Sequence, residues 1–119
     1  MLEIKRLNAV NLMVRDLPES LDWYKKHFGF EHKYDVEGGV VIAIGDTELV
    51  LSPTPDPKLP LAEPDTSLCI HTIAFEVDKE TLENAKSLFE GITVISQAEF
   101  VSVIINDPNG YCIELYVDL

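Results

Sequence analysis

The stretch NDPNGYCIELYV, residues 106–117, contains a single carboxylate, Glu114, inside an otherwise largely apolar strand pattern. A carboxylate at such a position can ligate a metal ion, act as a general base when burial raises its pKa, or serve as a hydrogen-bond acceptor or counter-charge for a ligand. A nucleophilic triad is not indicated, because no histidine is placed to act as a base for Cys112 or Ser102. Which of these roles Glu114 has depends on the face of the sheet that its side chain occupies.

The two cysteines, Cys69 and Cys112, have no CxxC spacing and no secretory context. We expect both to be reduced thiols. Strand alternation would also direct them to opposite faces, so neither a disulfide nor a shared metal ion is expected.

Composition narrows the class of protein. The chain has 119 residues, 46% of them hydrophobic, which suffices for one compact core. A formal net charge of −12 disfavours nucleic acid as a partner. No secretory signal or membrane-spanning run is recognisable, so no membrane partner and a cytoplasmic location are expected.

The elements that must position Glu114 follow a regular order. Alternation in NAVNLMV predicts a first strand that ends just before Asp16. A helix should follow, with Asp16 as N-cap, Pro18 in the first turn and Gly29 as the stop. Its inward residues would be Leu17, Leu21, Tyr24 and Phe28. Turn signals then separate three strands, EHKYDV, VVIAI and ELVLS.

The same order returns in the second half of the chain. The strand IHTIAFEV precedes a helix predicted over Lys79 to Phe89, and the strands ITVISQ, FVSVIIN and YCIELYV follow. The inward helix residues would be Leu82, Ala85 and Phe89. Val14 corresponds to Val77 and Ala9 to Thr72, each 63 positions apart. The chain is therefore predicted to be an internal repeat.

One domain over residues 1–119 is predicted, made of two βαβββ modules at 4–52 and 69–119. A connector at 53–68 separates them, in a stretch with five prolines in seventeen residues. Such a composition is typical of an extended segment without regular structure. Neither module could bury its sheet face alone, which favours a single domain.

The motifs VRDLPESLDWYKKHFGF, FEVD and DPNGYCIEL, in this order within two βαβββ modules, resemble the vicinal oxygen chelate superfamily. This superfamily includes glyoxalase I, bleomycin and fosfomycin resistance proteins and extradiol dioxygenases. The resemblance extends from about Leu7 to Val117. It implies an α+β fold in which two tandem modules form curved mixed sheets, with the helices outside and a concave cavity.

Given that fold, strand alternation assigns the two faces of each sheet. The residues expected to pack on the helices are Val10, Leu12, Val14, Ile73, Phe75, Val77, Ile113, Leu115 and Val117. The candidate ligand-binding residues on the cavity side are Asn11, Met13, Val50, Thr72, Ala74, Glu114 and Tyr116.

Metal-dependent members of the superfamily hold a divalent ion with side chains from the first, fifth and last strands. Transferred to this chain, those positions are Ala9, Thr72 and Glu114, and only Glu114 is a competent ligand. His71 would become a ligand if a β-bulge turned it inward; otherwise it lies at the start of a strand. Glu48 is either a further ligand or, as we prefer, a solvated residue, and Glu76 is expected at the rim.

The resemblance leaves two main functions open. The first is a binding protein that takes up a small organic molecule without a metal or other cofactor, with cationic ligands favoured by the negative charge. The second is a lyase, isomerase or dioxygenase that uses a divalent metal (Mn, Fe, Ni or Zn) at a non-standard site, or Glu114 as a catalytic base. A cavity that serves only association or regulation is the third reading. A homodimer is also implied.

Overall fold

The computed structural model describes residues 1–56 and 71–119. The elements in chain order are β1 (Val10–Val14), α1 (Leu17–Phe28), β2 (Glu31–Val36), β3 (Gly39–Ile44), β4 (Thr47–Pro53), β5 (Thr72–Glu76), α2 (Lys79–Leu88), β6 (Thr93–Ser96), β7 (Phe100–Asn106) and β8 (Cys112–Asp118). The predicted βαβββ order thus occurs twice. Most of the predicted connector lies outside the described residues.

The chain divides into two compact units, Met1–Leu61 and Ala62–Leu119, each with its own four-stranded mixed sheet. This is the α+β architecture expected from the sequence. Within the described ranges, neither helix has the length and hydropathy needed to span a bilayer.

The first sheet has the strand order β1-β4-β3-β2, with β1 and β4 parallel and the other pairs antiparallel. Leu12 and Leu51 lie opposite each other in the parallel pair, and both are buried. Val14 and Leu49 are also buried, whereas Asn11 and Met13 alternate with them and are exposed. The helix α1 packs against β4. Alternation therefore predicted the two faces of β1 correctly.

The helix α1 begins and ends as its sequence indicates. The Asp16 side chain accepts a hydrogen bond from the Glu19 backbone N–H at 3.0 Å, which satisfies one of the free donors of the first turn. At the other end Gly29 has φ 77°, a left-handed conformation that favours glycine. Its N–H donates to the carbonyl of Lys25 at 2.9 Å.

The inward face of α1 is centred differently from the prediction. Ser20 and Tyr24 are the buried residues of this helix, whereas Leu17, Leu21 and Phe28 are half-buried. Residues 20 and 24 share one helical face at a spacing of four, and the predicted apolar residues flank that face. A small serine allows the helix to approach the sheet, so a polar residue occupies a position that apolar spacing alone did not indicate.

The second sheet has the order β5-β8-β7-β6, with β5 and β8 parallel. Ile113, Leu115 and Val117 of β8 are buried, as are Leu82 and Ala85 of α2. The helix α2 packs against β7 and β8. Its N-cap is Asp78, whose side chain accepts from the Thr81 N–H at 2.8 Å. The helix ends at Leu88, one residue before the predicted end.

Removing the first cap should destabilise the chain. We expect Asp16→Ala to lower the free energy of unfolding by about 1 kcal/mol, because the Glu19 N–H loses its acceptor. Urea denaturation followed by circular dichroism measures this. Asp22→Ala, at an exposed position inside the same helix, is the matched control and should cause no comparable loss. Equal losses in both variants would contradict the capping role.

The second cap makes stability depend on pH. Hydrogen bonds from Thr81 hold the pKa of Asp78 below its ordinary value. A carboxyl with a lowered folded-state pKa stabilises the fold above its unfolded pKa of about 4, and this contribution is lost as the pH falls through the folded-state pKa. Asp78→Asn should therefore be less stable than the parent at neutral pH, with a difference that shrinks in acid.

The measurement is urea denaturation of the parent and Asp78→Asn across the acidic pH range. Asp22→Asn serves as the control, since Asp22 is exposed on α1. A difference between the parent and Asp78→Asn that stays constant down to the lowest pH would contradict the assigned role of the Asp78 charge.

Candidate functional site

The candidate site lies on the face of the second sheet that points away from α2, here called the distal face. It carries the residues that alternate with the buried α2-facing ones: Thr72, Ala74 and Glu76 of β5, Glu114, Tyr116 and Asp118 of β8, and Phe100, Ser102 and Ile104 of β7. The parallel pairing of β5 with β8 sets their order, because Ala74 lies directly opposite Glu114 and Glu76 opposite Tyr116.

Glu114 is held by one neighbour on this face. The Thr72 hydroxyl donates to Glu114 Oε1 at 2.9 Å. No hydrogen bond reaches Oε2 from residues 1–56 or 71–119, and none of the ion pairs in those ranges involves Glu114. The side chain is half-buried. The sheet therefore holds a positioned carboxylate that no cation neutralises within the described ranges.

The three positions transferred from metal-dependent enzymes do not make their usual metal site. Ala9 has no donor atom, and Thr72 already donates its proton to Glu114. His71 is exposed and directly precedes β5. In the part of the chain that the structure describes, no group of three His, Cys, Asp or Glu side chains could hold a metal ion. The donor set therefore does not fit the usual coordination shell.

An aromatic pair lies beside the carboxylate. The rings of Phe100 and Tyr116 stack with centroids 5.3 Å apart and an interplanar angle of 28°. The Tyr116 hydroxyl donates to Asp118 Oδ1 at 2.5 Å. Phe100 lies opposite Asp118 in the sheet, so the pair forms a diagonal contact between β7 and β8. The distal face thus offers aromatic surface next to Glu114.

Three carboxylates act on the Tyr116 hydroxyl. The hydrogen bond to Asp118 raises the pKa of Tyr116 above the ordinary tyrosine value, and desolvation adds to this. The charges of Asp118, Glu76 and Glu114 raise that pKa further. No ion pair neutralises these three carboxylates within the described ranges. The distal face is therefore acidic as well as aromatic.

Ser102 is a buried polar group on the same face. It lies opposite Tyr116 and is fully buried. Its hydroxyl has no hydrogen-bond partner in the described part of the chain. Burial of an unpaired hydroxyl costs free energy. Ser102 has no distinguishing sequence signal, because FVSVIIN is apolar at five of its seven positions and alternation cannot separate its faces.

The first sheet has a different arrangement at the corresponding place. Asn11 lies opposite Val50, as Ala74 lies opposite Glu114, so Val50 is the counterpart of Glu114. Asn11 and Met13 are exposed, and Val50 is half-buried. Glu48 is not solvated as we expected, because Lys33 Nζ lies 3.0 Å from its Oε1 and its side chain is only 11% exposed. A β-bulge between residues 32 and 34 interrupts the regular register beside Lys33.

The state of Cys112 differs from the expected reduced thiol. It is disulfide-bonded, so the prediction of a reduced thiol at this position is wrong. The prediction for Cys69 lies outside the described residues. Disulfides are typical of oxidising compartments, and the cytoplasmic location stays a prediction.

Comparisons with known proteins agree with this architecture. Among curated proteins no match was found. Among solved structures, a fosfomycin resistance protein, FosX from Mesorhizobium loti, is 20% identical with a TM-score of 0.67, covering 97% of this chain and 93% of its own. A lactoylglutathione lyase from Agrobacterium tumefaciens is 23% identical with a TM-score of 0.64, covering 96% and 94%.

A virulence protein from Salmonella typhimurium is 16% identical with a TM-score of 0.70, and the match covers 99% of this chain and 100% of that protein's chain. Identities this low establish a common fold and carry no ligand or activity across. The family model of the Glyoxalase/Bleomycin resistance protein/Dioxygenase superfamily matches residues 6–115. Together with the repeated βαβββ order, this match means that the chain belongs to the Glyoxalase/Bleomycin resistance protein/Dioxygenase superfamily.

Proposed function

We propose that this protein binds a small organic cation with an aromatic ring at the distal face, without a metal ion, and that Glu114 is its anionic anchor. The observation that carries the proposal is the state of Glu114, which is half-buried and hydrogen-bonded to Thr72 but has no ion-pair partner in the described ranges. Partial burial of a carboxylate without a cation is unfavourable. A cationic ligand would supply the missing partner.

The first sheet provides an internal comparison. There the carboxylate on the face that includes Val50 is Glu48, and Lys33 neutralises it at 3.0 Å. In the second sheet the partner of Glu114 is the neutral Thr72 hydroxyl. Since both sheets share one topology, the unneutralised carboxylate is a property of the second sheet's side chains. This difference favours the second sheet as the one that binds a cation.

The aromatic pair supports the same ligand class. Phe100 and Tyr116 offer stacked ring surface beside Glu114. Aromatic faces attract ammonium and guanidinium groups, and ring edges pack against a ligand's own ring. Ala74, directly opposite Glu114, is exposed and small, so it leaves room above the carboxylate. An aryl-ammonium compound would satisfy the carboxylate and the rings together.

Charge around the site favours cations at longer range. No Lys, Arg or His occurs after Lys86, whereas residues 87–119 contain five acidic residues. A field of one sign raises the local concentration of ligands of the opposite sign and increases their association rate. Anionic substrates would be repelled from the same surface.

The remaining predicted contacts belong to the proposal as well. Asn11, Met13 and Val50 are proposed to contact a small molecule at the corresponding face of the first sheet, where Asn11 and Met13 are exposed. Within the described residues, Lys33 neutralises the carboxylate of that face, Glu48. That face is therefore proposed to make apolar and amide contacts rather than to anchor a cation.

A divalent-metal-dependent lyase, isomerase or dioxygenase is the second candidate. It is favoured by one observation, namely that Glu114 occupies the position of a superfamily metal ligand and has a free Oε2 in the described ranges. It would need a non-standard donor set, with His71 or a residue of a second subunit. A role for Glu114 as a catalytic base stays a prediction.

The binding proposal can be tested with three probes of similar shape and different charge: phenethylammonium, 3-phenylpropanol and 3-phenylpropionate. Titration calorimetry should detect the cation alone. Glu114→Gln should weaken its binding about tenfold or more, because a charge-assisted hydrogen bond is lost. Glu37→Gln, in the exposed turn before β3, is the control and should bind as the parent does.

Two results would contradict the proposal. One is that all three probes bind equally well or that none of them binds. The other is tight binding of Mn, Fe(II), Ni or Zn by metal-stripped protein, close to one equivalent per site and lost in Glu114→Gln. The latter result would establish the metal-dependent alternative and direct the work to lyase and dioxygenase substrates.

The buried hydroxyl of Ser102 leads to a separate stability prediction. Ser102→Ala should raise the free energy of unfolding by about 1 kcal/mol, because it removes an unpaired polar group from a fully buried position. Urea denaturation measures the change. Ser96→Ala, at an exposed position of β6, is the control. A clear loss of stability in Ser102→Ala alone would mean that the hydroxyl has a stabilising partner.

A further inference from the structure

The Thr72 hydroxyl has a fixed role in its contact with Glu114. A threonine hydroxyl has one proton and two acceptor lone pairs, and here the proton is donated to Glu114 Oε1 at 2.9 Å. An ionised carboxylate accepts hydrogen bonds and donates none, so the two partners cannot exchange roles. Toward a ligand, Thr72 Oγ1 and Glu114 Oε2 are therefore both acceptors. These two atoms are here called the acceptor pair.

The described side chains next to Glu114 on the distal face leave the acceptor pair intact. Ala74 on β5 and Ile104 on β7 lie directly opposite Glu114, and both are apolar. Asn106 is the next residue of β7 on this face, and its amide nitrogen donates to the Gly110 carbonyl at 3.4 Å. A ligand that reaches Glu114 therefore meets apolar side chains on both neighbouring strands and must bring its own hydrogen-bond donors.

The acceptor pair distinguishes between kinds of organic cation. A primary ammonium is a compact charge with three N–H donors in different directions, so it can donate to Glu114 and to Thr72 Oγ1 together. An amidinium or guanidinium is planar and binds a carboxylate most strongly through two parallel hydrogen bonds, one to each oxygen. At Glu114 one of those oxygens, Oε1, already accepts from Thr72. A quaternary ammonium has no N–H and can use only its charge and the aromatic faces.

We infer that Thr72 makes the site specific for primary ammonium ions over planar and quaternary cations, an inference that rests on the binding function proposed for the distal face. Thr72 is a positioning residue for Glu114, because its hydroxyl holds Oε1, leaves Oε2 to the ligand and supplies Oγ1 as a second acceptor. Both side chains are half-buried, which strengthens hydrogen bonds formed there. The ligand class is thereby narrowed to arylalkylamines with a free ammonium group.

Three cations with one ring and different head groups test this specificity: phenethylammonium, 2-phenylacetamidinium and trimethyl(phenethyl)ammonium. Titration calorimetry measures the dissociation constant of each. The parent should bind phenethylammonium about tenfold more tightly than either of the other two, because only this cation can donate to both atoms of the acceptor pair. This comparison uses the parent protein alone, so it does not depend on how a substitution affects folding.

Two substitutions at Thr72 separate the effect of its hydroxyl from that of its shape. Thr72→Val removes the hydroxyl and frees both carboxylate oxygens, so the preference for phenethylammonium over 2-phenylacetamidinium should fall about fivefold or more. Thr72→Ser keeps a hydroxyl and should retain the parent's preference. Thr47→Val, at an exposed position of β4 in the first sheet, is the matched control and should bind all three cations as the parent does. Circular dichroism checks that each variant is folded.

The contrary outcomes separate this inference from the function on which it rests. If the parent binds 2-phenylacetamidinium or the quaternary cation as tightly as phenethylammonium, the inference is overturned, while cation binding at Glu114 stands. A preference that Thr72→Val leaves unchanged, even where all affinities fall, would also overturn it, because a residue with a merely structural role affects all cations alike. Failure of all three cations to bind the parent would overturn the proposed function and this inference with it.

Discussion

Parallel pairing between the first and last strands of each module is the constraint on which both sheets depend. It places β1 beside β4 and β5 beside β8, although a helix and two further strands separate them along the chain. The helix is the crossover that such a parallel pair requires, and it covers one sheet face. The opposite face of the second sheet then presents Thr72 to Glu114 at hydrogen-bonding distance. A slip of one residue in this pairing would exchange the faces and separate these two groups.

The two sheets show how one backbone arrangement supports different local chemistry. The position that is Glu114 in the second sheet is Val50 in the first, in the same register with its parallel neighbour. In the first sheet, Glu48 lies on the same face as Val50 and is neutralised by Lys33, which reaches it from β2. The backbone therefore sets which positions face away from the helix, and the side chains at those positions set the charge of that face.

Much of the architecture follows from the sequence, because caps, turns and strand alternation are local signals. Asp16 and Gly29 bound the first helix as expected, and the faces of β1 and β8 follow alternation. Side-chain pairing across a sheet is not local. The contact between Lys33 and Glu48 joins strands separated by β3 beside a β-bulge, and no periodicity indicates it.

The candidate site was predictable to a similar extent. Glu114 stands out as a charge in an apolar strand, and its neighbour Thr72 follows from the repeat. Ser102 does not stand out, because β7 is buried on both faces and its alternation is hidden. The disulfide at Cys112 was missed because the lack of CxxC spacing and of a secretory context was interpreted as evidence for reduced thiols.

The strand pairing also has a consequence for the order of folding. In the described residues every strand pairs within its own module, so the first sheet is complete once β4 has been synthesised. Val10 pairs with Leu49 and Thr72 with Cys112, so each module must close one long chain segment before its parallel pair forms. Such non-local closure slows folding, but here it is confined to about half the chain at a time. On the ribosome, the first sheet can therefore pair all of its strands before the second module has been made.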